Sequence, residues 1–582
     1  MFGKILEIDE KNVIIENLKK ETHSEFMNCH IIFEEPSKKT VGEIVKMDDD
    51  YINVLLIGEI ENNIFSAGVV KKPATNSIIR IINVSELTLI IGKNEPSKDS
   101  LIIGKSAIYK SYNISIPINS FFANHSCIIG NTGSGKSCSV SRILENLFVD
   151  SPFKPKNSHF VVFDAYGEYK NSFMEINKVP GLGFKKYTTK VESDDELLLK
   201  IPPYFLGPDD LAILLSATDS TQLPVIEKTL KLVYIFTSKD DTMKEYKNDI
   251  IAKCLLDILT SGKSGSQMRD QIIAVLSHYN TEDLNLESII KQPGYDRTLK
   301  QCLLIDEQGK MNAILLVTEF LHQFEKVNLD NIVIGDGFIY NLNDLYYALE
   351  FALMSEGALN SNDQYNKNNI LKTRLQSIIN SDNKEIFQIN EYVDRDIYID
   401  KLFKDACLID INLSHVDDRF AKIITKLLSK ILFTYTTKQS VRGSISMNII
   451  LEEAHRYVQN DSDVDIIGYN IFDRITKEGR KYGTLLTFIT QRPSELSTTA
   501  LSQCSNFIVF RLYHPNDFDI VSNLSTNVNN ETLEKLKSLN PGTALVFGTG
   551  FKVPLLAKFE LPNVMPESTS VDLAKLWYTT SE

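Results

Sequence analysis

Eight consecutive residues could bind phosphate. They read Gly130-Asn131-Thr132-Gly133-Ser134-Gly135-Lys136-Ser137 and fit the pattern G-x-x-x-x-G-K-[ST] of a phosphate-binding loop. The apolar run Ser126 to Ile129 before them is typical of a buried strand, and Ser139 to Phe148 after them has the apolar spacing of a helix. This order favours a nucleotide-binding P-loop, because glycines let backbone N–H groups close around phosphates at a helix N-terminus.

The same stretch predicts which groups would contact the nucleotide. We expect Lys136 to reach the β- and γ-phosphates and Ser137 to ligate Mg²⁺. The predicted ATP-binding set is the whole run from Gly130 to Ser137 together with Cys138, the next residue of the chain. The predicted cofactors are therefore ATP and Mg²⁺.

Two other Gly-Lys-Ser triplets serve as internal comparisons. They lie at residues 104–106 and 262–264, where Asp99 and Asp257 replace the leading glycine of the pattern. Without that glycine neither stretch fits a phosphate-binding loop, so we expect ordinary turns at both places.

Two adjacent acids follow another apolar run. Met447 to Leu451 predicts a strand, and Glu452 and Glu453 stand at its tip. Hydrolysis needs an acid for the metal and a base for the attacking water. We assign Glu452 to Mg²⁺, which its side chain, longer than the usual Asp, would reach through water, and Glu453 to polarising the attacking water. His455 would either sense phosphate or cap a helix, and the cap is the preferred interpretation.

A further strand, Thr484 to Ile489, leads to Gln491, whose amide could hydrogen-bond the γ-phosphate or the attacking water. An arginine from a neighbouring subunit can stabilise the transferring phosphoryl group, typically by roughly 10³–10⁵ in rate. Arg480 is the first candidate for that role, with Arg492 and Arg511 in reserve. The predicted catalytic residues are therefore Lys136, Glu453, Gln491 and Arg480.

Acidic residues also follow the strand predicted at His159 to Phe163. Asp164 and Glu168 lie at its C-terminal tip, in the stretch Asp164-Ala165-Tyr166-Gly167-Glu168-Tyr169. Such a tip faces the ligand crevice of an open α/β sheet. Functional and purely structural interpretations of these two acids are about equally supported by the pattern.

Composition narrows the class of protein. The 582 residues are 43% hydrophobic and 24% charged, which is typical of a globular protein. The net charge of −14 argues against a surface covered in basic patches, but it permits nucleic acid held by a few Lys and Arg in a ring or groove. The seven scattered cysteines favour neither a zinc site nor a disulfide framework. We find no signal peptide and no apolar run of membrane-spanning length, and expect a cytoplasmic protein without membrane contact.

Hydrophobic periodicity divides the chain into four regions and a tail. In residues 1 to about 100, short β-branched runs suggest a small β-barrel that acts as a structural collar. Its predicted strands include Tyr51 to Leu56, Ile78 to Ile82 and Leu87 to Ile91. From about residue 200 to 395, helical patterns dominate and indicate an insertion. Strands and helices then alternate again up to the strand Thr543 to Phe547, which predicts a parallel sheet with crossover helices.

Taken together, the motifs resemble those of the HerA family, hexameric DNA-translocating ATPases of the HerA/FtsK group. The resemblance covers almost the whole chain and rests on the P-loop, Asp164 with Gly167-Glu168-Tyr169, Leu451-Glu452-Glu453-Ala454-His455, Glu478-Gly479-Arg480-Lys481 with Gly483, and Gln491-Arg492-Pro493. One position departs from the family pattern: many relatives have a histidine before Gly-Glu-Tyr, where this chain has Tyr166. Any role of that histidine is not carried over.

The resemblance implies an α/β fold with a RecA-like P-loop ATPase core, a mostly parallel sheet, an N-terminal β-barrel and a helical insertion. The expected domains are a barrel resembling the family's HAS-barrel at 1–100, the first part of the core at 101–200, a helical bundle at 201–395, the second part of the core at 396–561 and a tail at 562–582.

The resemblance further implies a homo-hexamer with ATP between subunits and double-stranded DNA in a central channel. Family members work with a separate nuclease of the NurA type or, in bacterial defence, with effectors such as sirtuin-like NAD-degrading enzymes. Because the chain shows no effector motif of its own, any such activity is expected on a partner.

Two classes of function stay open at this point. The chain is either a motor that moves duplex DNA for a partner, or an oligomeric scaffold or switch that activates an effector under the control of ATP hydrolysis. Stimulation of the ATPase by duplex DNA distinguishes them. A conjugation-type DNA pump is disfavoured, because such pumps usually carry a membrane anchor.

Overall fold

The computed structural model describes residues 2–18, 26–110, 112–238, 240–325, 338–357, 362–459, 463–525, 528, 530–568, 573 and 577. The chain divides into two compact units. The first contains residues 1–198, 399–460 and 470–582, and the second contains residues 199–398 and 461–469. The domain boundaries expected from the sequence stay predictions. Within the described residues, no helix combines the length and the apolar character needed to cross a bilayer.

The first unit begins with an antiparallel sheet. Its strands are β1 (Phe2–Ile8), β2 (Asn12–Asn17), β3 (His30–Glu34), β4 (Lys39–Met47), β5 (Tyr51–Glu61), β6 (Ile64–Ala67) and β7 (Ile78–Ile81). They are ordered β1-β2-β5-β4-β3-β7, and β6 pairs with β5. In the described part of the chain β1 and β7 share no ladder, so the sheet is an open half-barrel around a small apolar core that includes Ile31, Phe33 and Val54.

The strand predicted at Leu87 to Ile91 is wrong, because Val84–Ile91 is a helix. Asn83 begins it: its side chain accepts from the Glu86 N–H (2.9 Å), and Glu86 Oε2 accepts from the Asn83 N–H (3.2 Å). This reciprocal capping box satisfies two otherwise unpaired donors at the helix N-terminus. Arg80 donates to the same glutamate, so local polar contacts override the apolar run.

The chain then enters the large sheet of the first unit. The next strands are β8 (Ser100–Ser106), β9 (Asn113–Pro117), β10 (Ser126–Ile129), β11 (His159–Asp164), β12 (Phe184–Thr188) and β13 (Glu196–Leu198). A short helix spans Ile118–Phe122, and the helix Lys136–Glu145 continues into one turn of π-helix at Asn146–Asp150. The turn predicted at residues 104–106 is wrong, since these residues end β8.

The second unit is mainly helical. Its helices are Pro208–Leu214, Gln222–Thr237, Asp241–Thr260, Gly265–His278, Leu299–Cys302, Ile314–His322, Leu342–Gly357, Asn362–Asn380, Asp463–Ile467 and the first residues of Arg395–Phe403, whose remainder belongs to the first unit. A hairpin of β14 (Ile289–Gln292) and β15 (Tyr295–Thr298) interrupts them. Edge-to-face contacts of Phe351 with Phe236 and Tyr279 lie in the interior of the unit.

The chain returns to the large sheet with six strands. They are β16 (Leu408–Asn412), β17 (Met447–Leu451), β18 (Thr484–Thr490), β19 (Asn506–Val509), β20 (Thr543–Gly548) and β21 (Leu555–Lys558). The helices between them are Asp418–Thr437, Ile471–Tyr482, Thr498–Ser502, Pro515–Leu524 and Asn530–Lys535. Of the predicted tail, residues 569–582 lie outside the described residues except for Leu573 and Trp577.

The twelve strands are ordered β13-β12-β16-β11-β17-β18-β10-β19-β20-β21-β8-β9. The pairs from β13 to β19 are parallel, which confirms the predicted α/β fold with a mostly parallel sheet. The parallel placement expected for Thr543 to Phe547 is wrong, because β20 runs antiparallel to β19. After β19 the chain does not cross back to the other edge of the sheet, because the Leu512 N–H donates to Leu536 O at 3.2 Å. The strand β20 therefore starts at the edge where β19 ends.

Candidate functional site

The glycine-rich loop follows the buried strand β10 and opens the helix Lys136–Glu145, as the strand–loop–helix order predicted. Gly135 has φ +104°, and a Cβ added there would lie 2.8 Å from Gly542 N, so both its backbone conformation and its surroundings require glycine. Neighbouring chain segments hold the loop: Gly542 N–H donates to Ser134 O (2.9 Å), and Asn131 N–H donates to Arg511 O (3.0 Å). These contacts join the loop to the segments that follow β19 and precede β20.

Lys136 is only 8% exposed and donates from Nζ to Asn131 O at 3.2 Å. Its pKa lies below the usual value because burial disfavours the ammonium, against the opposing pull of Glu453, Glu452 and Glu168. A cation is therefore held next to three carboxylates, at the side of the loop where phosphates would bind.

The carboxyl ends of β11 and β17 meet at one edge of the sheet, since Phe163 pairs with Leu451. This register places Asp164 beside Glu452. Asp164 is fully buried and accepts N–H bonds from Gly167 (2.8 Å) and Tyr169 (2.7 Å), so it shapes the loop that follows β11. The contacts of Asp164 therefore position the loop that follows β11.

Glu452 and Glu168 are the acids that could reach a metal. Glu168 lies beside the Ser137 hydroxyl, and burial raises the pKa of Glu168. The pKa of Glu452 is raised well above its usual range by burial and by the nearby Asp164 and Glu168 carboxylates. Among the described residues, one buried oxygen of each, Glu452 Oε2 and Glu168 Oε2, accepts no hydrogen bond. Crowded, unsatisfied carboxylate oxygens next to a P-loop serine fit a divalent cation.

Glu453 stands at the very tip of β17 with left-handed backbone angles, φ 47° and ψ 47°. Such a conformation costs a non-glycine residue roughly 1–2 kcal/mol. Its carboxylate is buried and faces three groups: Gln491 Nε2 donates to Oε1, His455 Nδ1 lies 3.2 Å from Oε2, and Lys136 attracts it electrostatically. Residues held in strained backbone conformations cluster at functional sites.

Gln491 connects this acid to the loop. Thr132 Oγ1 donates to Gln491 Oε1 at 2.5 Å, while the amide nitrogen of Gln491 contacts Glu453. The structure therefore brings Lys136, Glu453 and Gln491 together. The catalytic roles assigned to them stay predictions.

The prediction that His455 caps a helix is wrong. The residue lies in a single 3₁₀ turn, Ala454–Arg456, and its Nδ1 lies 3.1 Å from Thr490 Oγ1. Burial lowers the pKa of His455, against the opposing effect of Glu453. His455 is thus a neighbour of the acid that precedes it by two positions.

The three candidate arginines lie in different places. Arg480 lies before the start of β18, and the P-loop lies after the end of β10, which runs parallel to β18. The length of β18 therefore places about 20 Å between Arg480 and the P-loop. Arg480 therefore cannot reach the loop of its own chain. Arg492 is exposed and pairs with Glu495 at 2.9 Å. Arg511 touches the loop through its carbonyl, and its buried Nε has no hydrogen-bond partner in the described part of the chain.

Several contacts of the site carry no short-range signal in the sequence. Gly542 packs on Gly135, and Glu567 N–H donates to Glu168 O at 2.8 Å, although both come from the last part of the chain. Cys138, predicted to contact nucleotide, is half-buried on the first turn of the helix, and burial raises the pKa of its thiol. Its contact with nucleotide stays a prediction.

Comparison with known proteins gives one family and several relatives. The family described as "Helicase HerA, central domain" matches residues 101–432. The DNA double-strand break repair helicase HerA of Pyrococcus furiosus is 22% identical over 566 residues, covering 96% of this chain and 84% of that protein. Its counterpart from Sulfolobus acidocaldarius is 24% identical over 479 residues, covering 76% and 90%. The solved structure of VirB4 of Thermoanaerobacter pseudethanolicus matches with 11% identity and a TM-score of 0.42, covering 81% and 99%.

Proposed function

The chain belongs to the family of the helicase HerA central domain and is a P-loop ATPase, and on that premise we propose that it translocates on duplex DNA as a cytoplasmic ring of six identical subunits. The observation that carries the proposal is the meeting of Lys136, Glu453 and Gln491 at the carboxyl edge of one sheet. We take DNA as the substrate because two relatives are named as DNA double-strand break repair helicases.

ATP would bind with its phosphates in the loop from Gly130 to Ser137. Mg²⁺, held by Ser137 and Glu452, would neutralise phosphate charge when bound. Lys136 would contact the β- and γ-phosphates, and Glu453 would accept a hydrogen bond from the attacking water. Gln491 touches Glu453 and would orient that water or the γ-phosphate.

Duplex DNA is expected to stimulate the ATPase, because a translocase couples turnover to movement on its substrate. The measurement is the steady-state rate with linear duplex DNA, compared with the rate without nucleic acid. A several-fold rise in the ATPase rate that requires DNA longer than the channel of one ring would support the motor. A rate indifferent to duplex DNA, with a well-defined oligomer, would instead favour an ATP-regulated scaffold for an effector.

A partner also belongs to the proposal. A ring motor needs a second activity to act on the DNA it moves, and we propose a separate nuclease or an anti-phage defence effector in that role. Co-purification from the native host followed by mass spectrometry identifies it. Recovery of the ring alone under conditions that preserve assemblies would contradict this part.

The position of Arg480 supports a ring. This arginine is exposed and, among the described residues, forms no ion pair, while β18 separates it from the loop of its own chain. A group supplied in trans requires a head-to-tail interface, and such interfaces close into rings. We therefore propose that Arg480 acts in the site of the neighbouring subunit, with Arg492 and Arg511 as alternatives.

Mixing two inactive variants tests this arrangement. Arg480→Ala and Lys136→Ala subunits together are expected to regain ATPase activity, because a hybrid interface pairs an intact loop with an intact arginine. Lys136→Ala mixed with Glu453→Gln is the matched control, since those two residues lie in the same site and no hybrid interface is complete. Activity no higher than in the control, in rings shown by light scattering to exchange subunits, would remove Arg480 from the trans role.

A further inference from the structure

The carboxylate of Glu453 has the amide of Gln491 on one side and the imidazole of His455 on the other. The amide is in turn contacted by the Thr132 hydroxyl, which no proposed step uses. On one side, Thr132 donates to Gln491 Oε1 (2.5 Å) and Gln491 Nε2 donates to Glu453 Oε1. On the other side, His455 Nδ1 lies 3.2 Å from Glu453 Oε2 and 3.1 Å from Thr490 Oγ1. The acid at the tip of β17 is thus connected both to the P-loop and to the tip of β18.

The hydroxyl of Thr132 selects the orientation of the Gln491 side chain. A primary amide has one accepting oxygen and one donating nitrogen. A donor at Thr132 attracts the oxygen, and the nitrogen then points at Glu453, which is an acceptor when ionised. Without the hydrogen bond from that hydroxyl, the amide is no longer held in this orientation and can turn its oxygen towards the carboxylate.

The second oxygen, Glu453 Oε2, is buried and accepts no hydrogen bond within the described part of the chain, although His455 Nδ1 lies 3.2 Å away. The imidazole is half-buried, and burial disfavours its protonation, so one ring nitrogen of the neutral ring donates and the other accepts. Nδ1 forms its hydrogen bond with Thr490 Oγ1, so the imidazole lies beside Glu453 Oε2 without bonding it. Because Glu453 also occupies a left-handed backbone conformation, its side chain depends on the Gln491 contact at Oε1 to point in one direction.

We propose that Thr132 is a positioning residue for Glu453, acting through the amide of Gln491, an inference that rests on the proposed role of Glu453 in activating water. Thr132 is exposed, and its hydroxyl contacts the Gln491 side chain. Its hydroxyl therefore couples the loop to the acid and can be removed without disturbing the core.

The first test removes and restores the hydroxyl. Thr132→Val keeps the side-chain shape without the donor, and Thr132→Ser keeps the donor. We expect kcat to fall roughly 10- to 100-fold in Thr132→Val, as misplaced catalytic groups do. Binding of a fluorescent ATP analogue should change less than about twofold, and Thr132→Ser should recover most of the rate. A wild-type kcat in Thr132→Val, or equal losses in the two variants, would overturn the inference.

A double-variant cycle separates this inference from the proposed function. If Thr132 acts through Glu453, then Thr132→Val should lower the single-turnover rate far less in a Glu453→Gln background than in the wild type. Equal fold-losses in both backgrounds would overturn the positioning role of Thr132 while leaving the role of Glu453 intact. Full activity of Glu453→Gln alone would instead refute the proposed role of Glu453.

Discussion

Replacing Lys136 with alanine is expected to abolish ATP hydrolysis and to weaken nucleotide binding strongly. The ammonium group is buried among Glu168, Glu452 and Glu453, and burial already lowers its pKa. Without it, three carboxylates would face a polyphosphate without this neutralising charge, so electrostatic repulsion adds to the lost contact. We expect no turnover above background and a Kd for a fluorescent ATP analogue raised by at least an order of magnitude.

The chain offers a control with the same local sequence. Lys105 also stands in a Gly-Lys-Ser triplet, but it lies in β8, half exposed, and pairs with Glu560 at 2.6 Å. Lys105→Ala is expected to keep wild-type ATPase activity, because an exposed pair of this kind contributes little even to stability. Wild-type affinity and turnover in Lys136→Ala would contradict the assignment of the P-loop.

The strand tips of the site could be predicted from the sequence. Each of the three tips follows a short apolar run, and β17 has the predicted bounds, Met447–Leu451. Parallel strands bring their carboxyl ends to one edge, so the P-loop, Glu453 and Gln491 had to lie near one another once the parallel order was inferred. Periodicity and chain order were sufficient for that much.

The contacts that complete the site could not be predicted, because they join distant segments. Gly542 reaches Gly135 only because β20 starts at the edge where β19 ends, a reversal that the strand–helix alternation did not indicate. The link from Thr132 through Gln491 depends on side-chain directions at two separate tips. Spacing along the chain contains neither kind of information.

The helix at Val84–Ile91 shows a different limit. Its apolar residues Leu87, Ile90 and Ile91 are buried, and as a short apolar run they are compatible with a strand or a helix. The polar residues in front of the run decide between the two, since Asn83 and Glu86 form the capping box. A search for this pattern before every apolar run would have found the helix.

Replacing Glu453 with glutamine is expected to leave ATP binding intact and to slow turnover by roughly 10²–10⁴, the usual contribution of a positioned base. The amide is nearly isosteric, and its oxygen can still accept from Gln491 Nε2, so the left-handed turn and its contacts should persist. It cannot accept a proton from water. Removal of a group that acts only in the transition state lowers kcat without a matching change in affinity.

Glu452→Gln is the informative comparison, because the two acids are adjacent but face different neighbours. Glu452 is crowded by Asp164 and Glu168, so the loss of its charge should weaken Mg²⁺ binding and raise the Mg²⁺ concentration needed for half-maximal nucleotide binding. In Glu453→Gln that concentration should stay unchanged. Glu175→Gln, at a half-exposed acid paired with Lys178, serves as a control with wild-type behaviour. If Glu453→Gln keeps full kcat while Glu452→Gln loses turnover at saturating Mg²⁺, the two roles must be exchanged.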